Sequence, residues 1–209
     1  DALPRRECEA FRERENLGSR PLLLSVGRLS ERKGLREFVS SALPRIAESF
    51  PDVVLLIAGD TPDMALHARA QMPKSIQDAA EKAGVTSNLK FLGAISDEEL
   101  GIVYGAANVH VFPIRHIPGD PEGFGMVAVE AAAHGLPTVA FASGGIVDAV
   151  AEGVSGYLVA SGDYRAFADT VIRAICSGDA MRADAIAFSE HFAWPNFGTQ
   201  IIGQLQALV

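Results

Sequence analysis

Six short apolar runs, each closed by glycine or turn residues, constrain the fold of this chain more than any other feature. In order they are PLLLSVG, DVVLLIAGD, NLKFLG, NVHVFPI, PTVAFA and GYLVA. Segments with helical spacing or helix-favouring composition separate them, such as GLREFVSSALPRIAESF and SDEELGIVYGAA. Strands that are apolar on both faces and alternate with helices are typical of a parallel sheet with helices on each side. We therefore predict an α/β fold, a single doubly wound, Rossmann-like parallel sheet of six strands followed by C-terminal helices.

Local signals predict where several helices begin and end. Ser96 and Glu99 have the spacing of a capping box at the start of a helix. Gly84 and Gly135 stand where C-terminal helix caps belong. Pro44 cannot donate a backbone hydrogen bond, so we expect it to kink or split the first helical segment.

The composition indicates one large, well-packed domain. The chain has 209 residues, of which 48% are hydrophobic and 21% charged, and a chain of this length buries roughly 70% of its unfolded surface. A formal net charge of −8 argues against nucleic acid as a partner, which requires a basic face. Cys8 and Cys176 form no metal-type pair, so neither a disulfide framework nor a metal site is expected, and a reducing compartment is favoured.

The two ends of the chain give less guidance. No apolar run approaches the length of about 18 residues needed to span a bilayer, and DALPRRECEAFRERENLG lacks the apolar core of a signal peptide. The absent initiator Met suggests a piece of a longer protein, with a processed or trimmed small protein as the alternative. After the last strand the sequence predicts successive helices. Phe192, Trp194 and Phe197 either pack on the domain itself or dock on a missing partner domain.

Ligands of open parallel sheets bind beyond the carboxyl ends of the strands. The loop after the first strand, GRLSERKG, carries Arg28, Arg32 and Lys33 and is the densest cationic loop outside the N-terminal lead-in. The loop after the fourth strand, RHIPGDPEGFG, runs directly into a helix. Gly123 and Gly125 lack side chains, so a phosphate can approach the backbone amides at the positive end of that helix.

Arg28 and Lys33 indicate that the anion is a diphosphate. The planar guanidinium of Arg28 can donate two parallel hydrogen bonds, and the flexible ammonium of Lys33 supplies a point charge; together they suit such a group. Both residues can reach the crevice of the glycine loop. The alternative is that they are two solvated loop cations beside Glu31.

Two glutamates flank the glycines. Glu130 lies in an apolar helical segment, where an unpaired carboxylate is costly. If the helix begins near Gly125, Glu130 lies about 7.5 Å along its axis, a sugar ring's length behind the phosphate, where a carboxylate can bind a ribose diol. Glu122 precedes the glycines and therefore lies on the other side of the phosphate, where it can contact a group attached to that phosphate. The alternatives are a pair between Glu130 and His134 and a carboxylate at Glu122 favoured by the helix dipole alone. His110 is interpreted as a satisfied core histidine rather than a catalyst.

These cations, glycines and glutamates together resemble the donor-binding half of the retaining GT-B glycosyltransferases of family 4. VGRLSERKG, LIAGD, FLGAISDEEL, GFGMVAVEAAAHGLPTVAFASGG and GYLV look like that family's successive landmarks. Glutamates separated by seven residues, here Glu122 and Glu130, are its characteristic motif. The resemblance covers about Pro21 to the end and is closest to lipid-directed mannosyltransferases. It implies the second half of a GT-B fold and a hexosyltransferase, which moves a hexosyl group from a UDP- or GDP-linked sugar to an acceptor.

The resemblance also implies roles for individual residues. Arg28 and Lys33 would hold the donor diphosphate and stabilise the charge that builds on it, and Glu122 would bind the transferred sugar. These three are the expected catalytic residues. Glu130 would bind the ribose hydroxyls. Gly93, Ala94 and Ile95 would flank the base, largely through backbone contacts. The rest of the nucleotide-sugar site would be formed by Gly123, Phe124, Gly125, Met126 and Val127. No metal and no other cofactor is expected.

A missing half follows from the same resemblance. Residues 1–20 would lead in from an N-terminal acceptor domain, residues 21–180 would bind the nucleotide sugar, and residues 181–209 would be helices that cross back to the acceptor domain. The chain alone would be inactive, because a GT-B active site lies between two domains and many relatives contribute a histidine from the first.

The location implied is cytoplasmic, with peripheral association at the inner face of the membrane left open and only through the missing half. Ile146 and Asp148 depart from the family, since many relatives carry Pro and Glu there. The alternatives are a degenerate partner-binding module and a phosphorylase or sugar-nucleotide epimerase relative.

Overall fold

A single parallel sheet forms the centre of the protein. The computed structural model describes residues 5–61 and 71–196, together with residues 198, 202 and 206. Within these residues the strands are β1 (Leu22–Val26), β2 (Val54–Ala58), β3 (Leu89–Gly93), β4 (Val109–Phe112), β5 (Thr138–Phe141) and β6 (Gly156–Val159). The α-helices are α1 (Arg5–Arg14), α2 (Leu35–Ser41), α3 (Leu43–Ser49), α4 (Pro73–Ala83), α5 (Asp97–Ala106), α6 (Met126–Ala133), α7 (Ile146–Ala149), α8 (Tyr164–Ser177) and α9 (Arg182–Ser189). Short 3-10 turns occur at Glu31–Lys33, Thr86–Asn88, Gly178–Met181 and Glu190–Phe192.

The order of the strands defines where the two halves of the sheet diverge. It is β3-β2-β1-β4-β5-β6, and all neighbouring pairs run parallel. The chain leaves β1 toward β2 and β3 and returns to the other side of β1 at β4, where Leu23 lies beside Val109. A crevice opens at such a switch in strand order, between the loops that follow β1 and β4. The doubly wound parallel sheet of six strands is confirmed.

Helices cover both faces of the sheet because the central strands are apolar on both sides. Every residue of β1, β2, β4 and β5 is buried, as expected for covered parallel strands. On one face the ring of Phe38 in α2 lies 5.6 Å from that of Phe167 in α8. On the other face α1 packs on α5, and Phe11 of α1 is only 2% exposed. Residues 5–14, which the sequence assigned to a lead-in, therefore form a helix that completes the core of this domain.

The predicted helix ends agree with the structure. The Oγ atom of Ser96 accepts a hydrogen bond from the backbone N–H of Glu99 at 3.2 Å. Gly84 and Gly135 follow α4 and α6, and each has a φ of 72°, the left-handed conformation typical of a glycine cap. α2 ends at Ser41 and α3 begins at Leu43, with Pro44 in its first turn. Pro44 therefore accompanies a split of the first helical segment, as expected.

The described part of the C-terminal tail is helical and packs on the domain. α9 lies against α6, and the ring of Phe192 lies 5.4 Å from Phe124 and 5.2 Å from Phe188. Packing on the domain itself is therefore confirmed for Phe192. Trp194 is 83% exposed, and Phe197 lies outside the described residues. None of the described helices has both the length and the apolar character needed to cross a bilayer.

Candidate functional site

The loops after β1 and β4 lie against each other at the switch in strand order. The backbone N–H of Arg115 donates to the carbonyl oxygen of Arg32 at 2.8 Å. Gly34 has a φ of 67°, and a Cβ atom there would lie 2.1 Å from the carbonyl oxygen of Pro113. Only glycine permits that approach. The two loops that the sequence singled out therefore share one crevice.

Four charged side chains, Arg32, Lys33, Asp120 and Glu122, form an ion cluster across this crevice. Arg32 pairs with Glu122 through Nη1, and its Nε lies 3.2 Å from Asp120 Oδ1. The Nζ atom of Lys33 lies 3.4 Å from Glu122 Oε2. The side chains are between 12% and 19% exposed, and two positive charges balance two negative ones, which reduces the cost of burying them. Glu122 thus has cationic partners, so the alternative that the helix dipole alone explains it is wrong.

The two cations expected to bind a diphosphate differ in their surroundings. Lys33 Nζ lies 4.7 Å from the centroid of the Phe112 ring. Burial lowers the pKa of Lys33 below its usual value; Glu122 opposes the shift, and Arg32 and Arg28 add to it. Arg28 is exposed and forms no hydrogen bond or ion pair with the part of the chain that the structure describes. Because Lys33 lies beside Glu122 and the Phe112 ring, the alternative that it is a solvated loop cation is wrong.

The glycine loop is tightly supported at one position and open at another. Gly125, the N-cap of α6, has a φ of 93°, and a Cβ atom there would lie 2.9 Å from the Phe112 ring. The loop after β5 supports the other side, where a Cβ atom on Gly145 would lie 1.9 Å from the Gly123 carbonyl oxygen. A Cβ atom on Gly123 itself would meet no described atom within 4 Å. Because the first N–H groups of a helix lack partners within it, α6 begins with donors beside an open glycine.

The Glu130 carboxylate is bound by a tyrosine. Tyr104 on α5 donates its hydroxyl hydrogen to Glu130 Oε2 at 3.0 Å. The Nδ1 atom of His134 lies 2.8 Å from the backbone carbonyl oxygen of Glu130. The alternative that Glu130 and His134 pair through their side chains is therefore wrong. Glu130 is half-buried, and its remaining lone pairs can accept further hydrogen bonds.

His110 lies in the core, as expected, but only one of its ring nitrogens has a partner among the described residues. Its side chain is fully buried, and Nδ1 lies 3.1 Å from Thr138 Oγ1. Nε2 is buried without a hydrogen-bond partner. Burial lowers the pKa of His110 to about 3, and the charge of Lys33 adds to the shift. The histidine is neutral and part of the packing, but the expectation that it is fully satisfied is wrong.

The segment Gly93–Ile95 lies at the same edge of the sheet, after β3. Gly93 has a φ of 70°, and its carbonyl oxygen accepts a hydrogen bond from Gly59 at 2.8 Å. Ala94 is exposed and Ile95 is half-buried. β3 is two strands from β1, a separation of about 10 Å, which is the scale of a nucleotide. Contact of these residues with a base stays a prediction, as do the other ligand contacts.

Three residues of the site were not identified from the sequence: Arg32, Asp120 and Tyr104. Arg32 was visible in the cationic loop, but its bond to Glu122 joins positions 90 residues apart. Tyr104 and its acceptor Glu130 are 26 residues apart. The available signal was a carboxylate in an apolar helical segment, since such a group requires a buried partner.

A cavity of about 520 Å³ lies at the opposite edge of the sheet, beside the residues that precede β4 and β5. Arg12, His134 and Arg182 line it, and none of the expected ligand-binding residues does. Arg12 donates to the carbonyl oxygens of Ala106 at 3.1 Å and Arg20 at 3.0 Å, so its guanidinium connects loops. Over residues 5–61 and 71–196, no group of three or more His, Cys, Asp or Glu side chains is arranged to hold a metal ion.

A doubly wound sheet with a cation-lined crevice at its switch in strand order is the architecture of a nucleotide-binding domain. Its helix N-terminus and glycine loop are typical of phosphate sites. The chain belongs to the family described as Glycosyl transferases group 1, whose sequence profile matches residues 8–191.

Relatives agree with this assignment, and a solved structure shares the fold. The chain is 35% identical over 188 residues to D-inositol 3-phosphate glycosyltransferase of Corynebacterium urealyticum, which covers 88% of this chain and 42% of that protein. It is 33% identical over 190 residues to the GDP-mannose-dependent alpha-(1-6)-phosphatidylinositol monomannoside mannosyltransferase of Mycolicibacterium smegmatis, covering 90% and 47% of the two chains. The structure of Anabaena HepE in complex with UDP shares the fold, with a TM-score of 0.82 at 23% identity over 98% of this chain and 54% of that one. The chain spans about half the length of these proteins.

Proposed function

We propose that this chain is the donor-binding domain of a retaining glycosyltransferase of family 4, which moves a hexosyl group from a nucleoside diphosphate sugar to an acceptor. The observation that carries the proposal is the convergence of Lys33 and Glu122. They follow β1 and β4 and meet at the switch in strand order, beside the open glycine that precedes α6. A cation for phosphate, an amide end and a carboxylate for hydroxyl groups are the three contacts that such a donor requires.

Each part of the donor has a proposed partner. Arg28 and Lys33 bind the diphosphate together with the first amides of α6, between Gly123 and Val127. Glu130 accepts hydrogen bonds from the ribose, and Glu122 from the transferred sugar. Backbone atoms of Gly93–Ile95 flank the base. Arg28 is exposed and has no hydrogen-bond or ion-pair partner among the described residues, so it can turn toward an arriving diphosphate. Lys33 already lies in the crevice, 3.4 Å from Glu122.

The proposed chemistry depends on stabilising the leaving group. In a front-side displacement the glycosidic bond breaks through an oxocarbenium-like state, and negative charge builds on the diphosphate. Lys33, Arg28 and the N-terminus of α6 would stabilise that negative charge. The crevice is partly desolvated, and fixed dipoles and charges stabilise a developing charge more strongly there than in water. We propose that these groups offset part of the diphosphate charge and that no divalent metal is required. Donor binding that is unchanged by a chelator would support this part of the proposal.

The complete enzyme is proposed to be larger than this chain. Residues 21–180 would bind the donor, and residues 1–20 and 181–209 would connect to an N-terminal acceptor domain of a GT-B fold. Support comes from the relatives, since the chain covers 42% and 47% of two of them. We propose a cytoplasmic location, with any contact to the inner face of a membrane made by the other half. The pure chain should accordingly show no glycosyl transfer; turnover of a nucleotide sugar by it would overturn this part.

Calorimetry with UDP, GDP and ADP, and with sugar-linked forms of each, tests the proposed function. We expect weak but measurable binding of at least one nucleoside diphosphate at millimolar concentration, and the preferred base would separate a UDP-sugar from a GDP-sugar donor. Lys33→Gln should abolish that binding. Lys74→Gln is the matched control, since Lys74 is exposed on α4 and its ion-pair partner among the described residues is the neighbouring Asp78, at 2.6 Å. Absence of heat with all three diphosphates, or equal binding by both variants, would refute the proposal.

Other activities of this fold are less favoured. A partner-binding module that takes no sugar has no need of this ion cluster, because charges that are largely shielded from water are costly to retain without a ligand. The two relatives described above are named as glycosyltransferases rather than as phosphorylases or epimerases. Donor binding in the assay above discriminates the module from the transferase.

A further inference from the structure

Tyr104 connects α5 to the Glu130 carboxylate. Its side chain is 2% exposed, and its hydroxyl oxygen lies 3.0 Å from Glu130 Oε2 and 3.4 Å from the Val127 carbonyl oxygen. A phenol has one proton to donate, and hydrogen bonds to a charged acceptor are shorter and stronger than those to a neutral one. The proton therefore goes to Glu130 in preference to Val127.

The Tyr104 ring is held in place by two histidines. His134 stacks on it with a centroid distance of 5.1 Å and an interplanar angle of 18°. His110 lies edge-on at 6.3 Å. His134 is itself anchored to α6, since its Nδ1 lies 2.8 Å from the Glu130 carbonyl oxygen. The hydroxyl and the carboxylate that it contacts are thus fixed relative to each other.

The hydroxyl also keeps its proton well above neutral pH. Burial raises the pKa of Tyr104, and the negative charge of Glu130 raises it further. Within the described part of the chain, Tyr104 is the one side chain that hydrogen-bonds to the Glu130 carboxylate. A carboxylate has about four lone-pair sites. One bond to Tyr104 fixes its orientation and leaves the others for a ligand.

We propose that Tyr104 is a positioning residue for Glu130, which orients the carboxylate so that both hydroxyls of a nucleotide ribose are bound at once. This rests on the proposed function, in which Glu130 binds the ribose. Tyr104 does not touch the ligand. It restricts the carboxylate before binding, so that less rotational freedom is lost when the complex forms. Its effect therefore exists only for a ligand that carries the diol.

The test is Tyr104→Phe in the 209-residue chain. Phenylalanine retains the ring and its contacts with both histidines, and thermal unfolding checks that the fold is kept. Calorimetry measures the binding of UDP and GDP and of analogues that lack both ribose hydroxyls. We expect the substitution to weaken the preferred ribonucleotide about threefold to tenfold. It should leave the analogue's affinity unchanged and add no further loss in a Glu130→Gln background.

Tyr157→Phe is the matched control. It removes a hydroxyl on the edge strand β6 that forms no hydrogen bond with the described residues, and should leave all affinities as they are. Equal weakening of ribonucleotide and analogue by Tyr104→Phe would mean that the hydroxyl acts on the fold in general. Unchanged ribonucleotide binding, with a loss in Glu130→Gln, would refute the positioning role and leave the proposed function intact. Absence of binding of UDP, GDP and ADP alike by the parent chain would refute both.

Discussion

Two substitutions, Gly123→Ala and Gly145→Ala, distinguish the proposed phosphate-binding position beside Gly123, called the seat below, from the backbone that supports it. A Cβ atom on Gly123 meets no described atom within 4 Å, whereas one on Gly145 would lie 1.9 Å from the Gly123 carbonyl oxygen. Because ordinary contacts are about 3.5 Å, the loop that carries Glu122 would have to retreat by about 1.5 Å in the Gly145 variant. Overpacking of this kind costs about 1–3 kcal/mol of unfolding free energy.

The two variants are expected to differ in a defined way. Gly123→Ala should stay within about 0.5 kcal/mol of the parent chain in unfolding free energy, since its methyl group enters open space. That methyl group occupies the seat itself, so nucleoside diphosphate affinity should fall at least about tenfold, which corresponds to about 1.4 kcal/mol. Gly145→Ala should lose both stability and nucleotide binding, because the backbone that its Cβ atom displaces is that of Gly123, where the phosphate is proposed to bind.

Urea denaturation measures the stability of each variant, and calorimetry with the nucleotide that the parent chain prefers measures its affinity. Gly123→Ala with parental affinity would place the phosphate elsewhere and refute the seat. Gly145→Ala with parental stability would show that the close backbone approach of Gly145 to Gly123 is not maintained in solution.

Three further expectations concern the charged residues. Nucleotide affinity should fall as pH rises, and the fall should begin below the usual lysine pKa of about 10.4, because burial lowers the pKa of Lys33 and its ammonium is lost earlier than usual. In Lys33→Arg the charge persists, so calorimetry should find a flatter pH profile; identical profiles would contradict the assignment. Glu130→Ala should weaken nucleotide and nucleotide-sugar binding alike, whereas Glu122→Ala should weaken only the sugar-linked ligand, and equal losses in calorimetry would remove the distinction. Arg32→Gln leaves the carboxylates of Asp120 and Glu122 short of a partner and should cost about 1–3 kcal/mol in urea denaturation; an unchanged midpoint would mean that the ion cluster does not stabilise the fold.

The sheet, and the edge of it at which ligands bind, could be predicted from the sequence because both depend on local signals. Apolar runs closed by turns fix the strands, and in a parallel sheet the loops that follow them must share one edge. The glycines before α6 and the cations after β1 could therefore be assigned to one crevice. Gly125 is a clear case, since a φ of 93° at a helix start favours that residue alone.

The partners of the charged groups were not accessible in the same way. Lys33 could be assigned to the crevice, but its burial and its contact with Phe112 depend on how the chain folds over it. Arg32 had the same local appearance as Arg28, yet the side chain of Arg32 is only 12% exposed and is paired in the ion cluster, whereas Arg28 is exposed. The difference arises from the path of the loop after β4, for which the sequence contains no periodic signal. For the same reason the bond from Tyr104 to Glu130 could not be anticipated.

The contact between Phe192 and Phe124 sets a limit on how far this chain can be shortened. Phe124 lies between the two glycines of the loop, and the ring of Phe192 lies 5.4 Å from it. Aromatic pairs add about 0.5–1.5 kcal/mol beyond the area that they bury. For anyone engineering a minimal version of the domain, the boundary therefore falls after position 192. A shorter version would keep every strand but leave the loop without one of its packing rings, and a substitute aromatic group would have to be supplied from elsewhere.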